Sequence, residues 1–113
     1  MATQVTVYTV HGIEPRKLAR VTEEMRTLGA PTVRVVDCGD YMQAIEGTHR
    51  LHAAAELGIA PRLVVLAQGD LVDGDSLDWQ DLQPGERYTA GELAGEAHSF
   101  ASRAIRFPAW RSA

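Results

Sequence analysis

The sequence has one cysteine and no long apolar run. Because Cys38 is the one cysteine, an intramolecular disulfide and a Cys-rich zinc site are excluded. The lack of disulfides agrees with a reducing compartment. No segment approaches the roughly 20 apolar residues that span a bilayer, and the first residues lack the pattern of a signal peptide. These absences predict a cytoplasmic protein that does not bind membranes.

Basic residues are also in the minority, since 11 Lys and Arg stand against 15 Asp and Glu, giving a net charge of −4 over 113 residues. This charge disfavours indiscriminate nucleic-acid binding, which depends on cations that neutralise phosphates. Residues 1–66 carry seven basic and seven acidic residues, so the whole net charge comes from residues 67–113. The length is that of one small domain, with a neutral part and an acidic part.

The neutral part alternates between strand and helix patterns. β-branched residues indicate strands, apolar residues at helical spacing indicate helices, and glycines mark where the helices end. The predicted elements are a strand from Val5 to Val10, a helix from Pro15 to Leu28, a strand from Thr32 to Asp37, a hairpin strand from Tyr41 to Ile45, a helix from Leu51 to Leu57 and a strand from Leu63 to Ala67. This order predicts an α/β (α+β) fold with a mixed sheet in a single small domain.

Residues 69–113 are different in kind and are predicted to form an acidic loop and a helical extension that packs on the same domain. The loop covers residues 69–74, and a short helix is expected from Ser76 to Leu82. Thr89 and Glu92 have capping-box spacing, which predicts another helix. One face of that helix would carry Leu93, Ala97, Phe100, Ala101 and Ala104.

The sequence Glu-Gly-Thr-His-Arg at 46–50 lies at a predicted strand-to-helix junction and is the best candidate for a binding site. The free N–H groups and positive dipole end of a helix attract anions, and Gly47 lets a ligand approach the backbone. Glu46 can act as a base or as a metal ligand. The next side chains can donate hydrogen bonds to phosphate oxygens: Thr48, His49 and Arg50. The same residue types also occur as ordinary helix capping, so the spacing alone leaves both interpretations open.

Residues 13–66 resemble the ParB/sulfiredoxin superfamily in the motif from Glu46 to Leu51, the alanines at 53–55 and the Leu-Gly-Ile sequence at 57–59. At this turn partition proteins carry Gly-Glu-Arg-Arg, sulfiredoxins Gly-Cys-His-Arg and free-serine kinases Asp-Gly-His-His-Arg. The resemblance implies a small fold in which residues 1–68 are the nucleotide-binding core. It also implies that ATP or CTP, commonly with magnesium, docks at the N-terminus of the helix from Thr48 to Leu57.

Departures from each subfamily narrow the expected activity. Sulfiredoxin chemistry needs a cysteine where this chain has Thr48, so that activity is not expected. The residues after Ala67 are too few and too acidic to supply the DNA-binding and dimerisation regions of a partition protein. The resemblance to the kinases is supported by Glu46, which occupies the place of their acidic residue before the glycine. It implies a second catalytic acid in the loop after the first strand, where Glu14 lies.

Two hypotheses for the function remain open, besides a third possibility in which the fold persists but the site is inactive. In the first, the chain is an ATP-dependent phosphotransferase on a small hydroxyl compound, with catalytic residues Glu46 and Glu14 and phosphates held by Gly47, Thr48, His49 and Arg50. In the second, it is a non-enzymatic ParB-like nucleotide-binding module that regulates a protein partner, for which the acidic segment would suit a basic surface. No metal site built by the protein alone is predicted.

Overall fold

The computed structural model describes residues 4–100 and 102–108 as a mixed α+β fold in one small domain. The elements are β1 (Gln4–Tyr8), α1 (Pro15–Leu28), β2 (Thr32–Asp37), β3 (Met42–Ala44), α2 (Thr48–Leu57), β4 (Arg62–Leu66), β5 (Leu71–Asp73), a single 3₁₀ turn (Gly74–Ser76), β6 (Arg87–Thr89), α3 (Ala90–Ala97) and β7 (Ala104–Pro108). No helix among these residues is long and apolar enough to cross a membrane.

Five strands form the central sheet in the order β4-β2-β3-β1-β7. The β1–β3 and β2–β4 pairs are parallel, whereas β2–β3 and β1–β7 are antiparallel, so the sheet is mixed. The remaining two strands, β5 and β6, pair with each other in a separate antiparallel ribbon. The first and last described strands are therefore neighbours, with Val5 opposite Phe107.

Alternation along the strands divides the core between the two faces of the sheet. In β2, Val33 and Val35 face a cluster that includes Met25 of α1 and Leu51 of α2. Val36 belongs to the cluster on the other face, where α3, the β5–β6 ribbon and Trp79 pack. The sheet thus lies between the α1–α2 pair and a layer built by residues 70–100.

Local sequence explains how the first two helices begin and end. Glu14 caps α1, because its carboxylate oxygens accept hydrogen bonds from the backbone N–H groups of Arg16 and Lys17 at 3.2 and 2.8 Å. Pro15 follows at the first helical position, where its missing N–H costs no helical bond. Glycines at 29 and 58 end the two helices, as the sequence predicts.

The mixed α+β fold is confirmed, and each element predicted between residues 4 and 68 is present, with ends that differ by up to three residues. Differences lie in the acidic part, where β5 forms within the predicted loop and the segment from Ser76 to Leu82 is not helical beyond the single turn at its start. α3 begins after Thr89 as predicted, but it ends at Ala97, and Ala104 begins β7. Ala101, also assigned to that helix, lies outside the described residues. Pairing with β1 decides the conformation here, since β7 buries Phe107 against the sheet.

Candidate functional site

The turn into α2 brings the predicted motif together at one end of the helix. Gly47 precedes α2 with φ 72° and ψ 26°, a left-handed conformation, and no side chain in the described part of the chain caps the helix. A Cβ atom at this position would lie 2.9 Å from Cγ2 of Val33, so both the backbone angle and the packing favour glycine. The first N–H groups of α2 consequently keep their attraction for an anion.

Thr48 fixes this turn to the segment that follows β1. Its hydroxyl accepts a hydrogen bond from the backbone N–H of Val10 at 3.1 Å and donates one to the carbonyl oxygen of the same residue. Thr48 is only 6% exposed and Val10 only 2%, so both bonds are shielded from water. The hydroxyl hydrogen that was expected to reach a phosphate is therefore held by Val10.

Glu46 is held by Arg34 through three hydrogen bonds. The Arg34 Nη2 and Nε atoms donate to the two carboxylate oxygens at 2.8 and 3.1 Å, and the Arg34 backbone N–H donates at 3.0 Å. Burial alone would raise the pKa of Glu46, but the hydrogen bonds and charge of Arg34, helped by the charge of Arg50, outweigh burial and lower it. Glu46 is thus an ionised, positioned carboxylate, and it could accept a proton only if the pair with Arg34 opened.

Glu14 and His49, which are 35 positions apart in the sequence, are in direct contact. The Nε2 atom of His49 accepts a hydrogen bond from the backbone N–H of Glu14 at 2.9 Å. Burial and the charge of Lys17 lower the pKa of His49, against the opposing effect of the Glu14 carboxylate. Glu14 itself is exposed and serves as the cap of α1, so the structure gives it a structural role and brings it to the site through its backbone.

Arg50 lies along the sheet beside the turn. Its Nη1 atom donates to the carbonyl oxygen of Thr32 at 2.8 Å, and its Nη2 atom is within 3.1 Å of the point where a Cβ at Gly47 would stand. Arg50 and Lys17 form no ion pair within the described part of the chain. Both cations near α2 are therefore available to bind an anion in addition to the described carboxylates around them.

A cleft of about 400 Å³ opens at the N-terminus of α2 and is lined by all five residues from Glu46 to Arg50. This volume lies in the range of small-molecule sites, about 300–1,000 Å³. Glu14, the other predicted site residue, contacts His49 but does not line the cleft. The structure therefore brings the whole motif to one cavity.

Sequence reasoning missed several side chains on the walls of this cleft: His11, Lys17, Asp78 and Trp79. The rings of His11 and Trp79 meet edge to face, with centroids 5.4 Å apart. His11 has φ 64°, unusual for a residue with a side chain, and its backbone N–H donates to the carbonyl oxygen of Phe100. No local pattern in the sequence relates these side chains to the motif at residues 46–50, because they come from other segments of the fold.

The described residues contain no group of three His, Cys, Asp or Glu side chains that could hold a metal ion. A magnesium ion carried by a nucleotide needs fewer protein ligands, commonly one or two carboxylates in addition to phosphate oxygens. Glu46 and Asp78 both line the cleft, but the oxygens of Glu46 accept hydrogen bonds from Arg34, so the exposed Asp78 is the carboxylate that fits this smaller requirement.

Comparisons with models of protein families, with curated proteins and with solved structures find no match for this chain. Any function of this chain must therefore be inferred from the chemistry of the cleft itself.

Proposed function

We propose that the cleft binds the phosphate groups of a nucleotide of the ATP or CTP type. The observation that carries this proposal is the uncapped N-terminus of α2 opening into a cavity that Lys17 and Arg50 also line. Helix N–H groups, an ammonium group and a planar guanidinium group are three complementary ways of binding phosphate oxygens. The resemblance of residues 46–51 to ParB/sulfiredoxin proteins supports the same ligand.

The aromatic wall of the cleft favours a nucleotide over inorganic phosphate. His11 is exposed and its ring faces that of Trp79, whose Nε1 atom donates to the carbonyl oxygen of Ile45 at 2.9 Å. That hydrogen bond holds the indole in a fixed orientation. Trp79 is only 9% exposed, so it is the exposed ring of His11 against which a nucleobase can pack while the phosphates reach the end of α2.

Binding without group transfer is the activity that the geometry supports best. Glu46 is engaged by Arg34, and the carboxylate of Glu14 caps α1, so neither is free to take a proton from a substrate hydroxyl. The protein would then act as a nucleotide-dependent module whose bound state alters contact with a basic partner. The eight acidic side chains of residues 70–96 would supply the complementary charge.

Trp79 gives a direct test of binding. In a Trp110→Phe background the fluorescence of Trp79 reports on the cleft, and ATP, CTP and tripolyphosphate are titrated with and without magnesium. We expect saturable changes, and we expect Lys17→Gln to weaken binding about tenfold, because it removes one charge-assisted contact. Arg16→Gln is the matched control, since Arg16 lies on the same helix turn, is exposed and does not line the cleft. Absence of saturation by every ligand, or equal losses in the two variants, would refute the proposal.

Phosphoryl transfer is a second candidate because Asp78 is exposed and lines the same cleft as Glu46. A carboxylate on that wall could accept the proton of a substrate hydroxyl as it attacks the terminal phosphate. The assay is incubation with ATP, magnesium and a panel of hydroxy amino acids, followed by measurement of ADP and phosphorylated product. Turnover that Asp78→Asn abolishes while nucleotide binding persists would support transfer, and binding without any turnover would leave the module as the function.

A further inference from the structure

Among the strands that the structure describes, none pairs with the outer edge of β4, so one edge of the central sheet is open there. This strand is first in the sheet order and pairs with β2 on one side, from Thr32 opposite Arg62 to Val36 opposite Leu66. None of the β4 residues lines the cleft at α2, so this edge is independent of the proposed nucleotide site.

The hydrogen bonds of β4 show which of its backbone groups face outward. The N–H of Arg62 donates to the carbonyl oxygen of Pro31 at 2.8 Å, which directs residue 62 toward β2. Because the direction alternates along a strand, Leu63 and Val65 direct their N–H and C=O groups away from the sheet. The next outward N–H, that of Ala67, donates to Oδ2 of Asp70 at 2.8 Å. Asp70 thus occupies the edge just beyond the strand.

The four side chains from Leu63 to Leu66 are apolar, whereas the strand begins with the exposed Arg62 and follows Pro61. Val64 is 39% exposed and Val65 is 40% exposed, on opposite faces of the sheet. Between residues 63 and 66 there is no proline and no charged side chain, so only the start of the strand carries a residue of the kind that discourages edge pairing. An open edge of this kind is a template for another strand.

We propose that β4 pairs antiparallel with β4 of a second copy of this chain, around a two-fold axis at Val64. In this register Leu63 of each copy lies opposite Val65 of the other, and the four outward N–H groups find the four outward carbonyl oxygens. Val64 faces Val64 across the axis on one side of the sheet. On the other side, Val65 packs against Leu63 of the second copy. The two five-stranded sheets become one ten-stranded sheet.

Charge complementarity identifies the second copy as the occupant and sets the strand direction. Antiparallel pairing brings Arg62 of one copy, which is exposed and forms no ion pair within the described residues, to the end of the other strand, where Asp70 lies. Parallel pairing would instead place the two Arg62 side chains next to each other. Asp70 also occupies the hydrogen bond of Ala67, which limits the new ladder to the five residues of β4.

Sedimentation velocity of the full chain tests this assembly. Protein concentrations of up to about 1 mM are needed, because an interface made by one pair of strands is small and weak. We expect a concentration-dependent dimer of twice the 12.3 kDa chain mass. Val65→Pro removes only an outward N–H and Val64→Lys places like charges on the axis, so each should raise the dissociation constant about tenfold or more. Leu71→Lys is the matched control, because Leu71 is a 64% exposed strand residue outside this edge.

A cysteine cross-link tests the register independently. In a Cys38→Ser background, Val64→Cys places two thiols opposite each other on the axis, at a separation that suits a disulfide, whereas Leu71→Cys does not. Rapid oxidation to a covalent dimer for the first variant alone supports the proposal. Three results would each overturn the proposal. The protein could remain a monomer at every concentration, Val65→Pro and Val64→Lys could leave the dimer unchanged, or cysteines at positions 64 and 71 could cross-link equally. Thermal unfolding of each variant confirms that the monomer fold is intact.

Discussion

The imidazole of His49, at the start of α2, accepts a hydrogen bond from the backbone N–H of Glu14, at the start of α1. A ring nitrogen that accepts a hydrogen bond carries no proton, so in the neutral ring the proton is on Nδ1. The Glu14 side chain in turn caps α1. One contact therefore joins the N-termini of two helices, and the tautomer of His49 is a property of that junction.

This contact predicts that the junction weakens in mild acid. The pKa of His49 is lowered in the folded protein by burial and by Lys17, so the unfolded chain, with an ordinary value of about 6.5, binds the proton more readily. The stabilisation is therefore present above about pH 6.5 and is lost as pH falls toward the folded pKa. We expect the stability difference between wild type and His49→Ala to shrink from pH 7.5 to pH 5.5, measured by urea unfolding. An equal difference at both pH values would contradict this expectation.

The Arg34–Glu46 pair predicts a second, more acidic transition. The folded pKa of Glu46 is lowered, so its stabilisation is present above the unfolded value of about 4.3 and is lost as pH falls through the folded value. Glu46→Gln should lower the free energy of unfolding at pH 7 by about 1–3 kcal/mol, because Arg34 is left half-buried without its charged partner. Glu23→Gln is the control. Glu23 forms an ion pair with Arg26 on α1, but the two side chains are 80% and 58% exposed, respectively, so this substitution should change the free energy of unfolding by less than about 1 kcal/mol.

Much of the fold could be predicted because the deciding information is local. The proline and the glycine that bound α1 lie within the helix segment, and the alternation of Val33 and Val35 is read directly as a strand with a buried face. The end of the chain could not be predicted in this way. Ala104 follows a run of helix-compatible residues, and only pairing with β1, almost 100 positions earlier, makes it part of a strand.

The site shows the same division between local and distant information. The motif at 46–50 was predicted as a helix N-terminus, and the structure places it at one end of the cleft. The hydrogen bonds of its side chains could not be predicted from the sequence, since each partner is at least 12 positions away. Those bonds join Glu46 to Arg34, Thr48 to Val10 and His49 to Glu14. Asp78 and Trp79 enter the cleft from a loop whose course depends on the hydrogen bond between Trp79 and Ile45.

The hydroxyl of Thr48 gives a third prediction, on stability. Thr48→Val keeps the shape of the side chain but leaves the N–H and C=O groups of Val10 without their partner in a buried setting. The loss should be about 1–3 kcal/mol in the free energy of unfolding. Thr27→Val on the exposed side of α1 is the matched control and should change stability by about 0.5 kcal/mol or less. Equal effects of the two substitutions would show that the Val10 contacts contribute nothing.

Gly47 gives the last prediction, which couples stability to the geometry of the site. Gly47→Ala forces a residue with a side chain into a left-handed conformation, at a cost of roughly 1–2 kcal/mol, and adds a Cβ 2.9 Å from Val33. Because Val33 is fully buried, this contact is relieved only by moving the turn, and the combined loss should reach about 2 kcal/mol or more.

Gly95→Ala is the matched control for this substitution. Gly95 lies within α3 at ordinary helical φ, and a Cβ there meets nothing within 4 Å. The same change should therefore stabilise the protein by about 0.5–1 kcal/mol, since alanine loses less backbone entropy than glycine on folding. Thermal and urea unfolding of both variants measure the two effects, and opposite signs are the expected outcome. If Gly47→Ala were neutral, the tight turn would not be what fixes the uncapped end of α2 in the cleft.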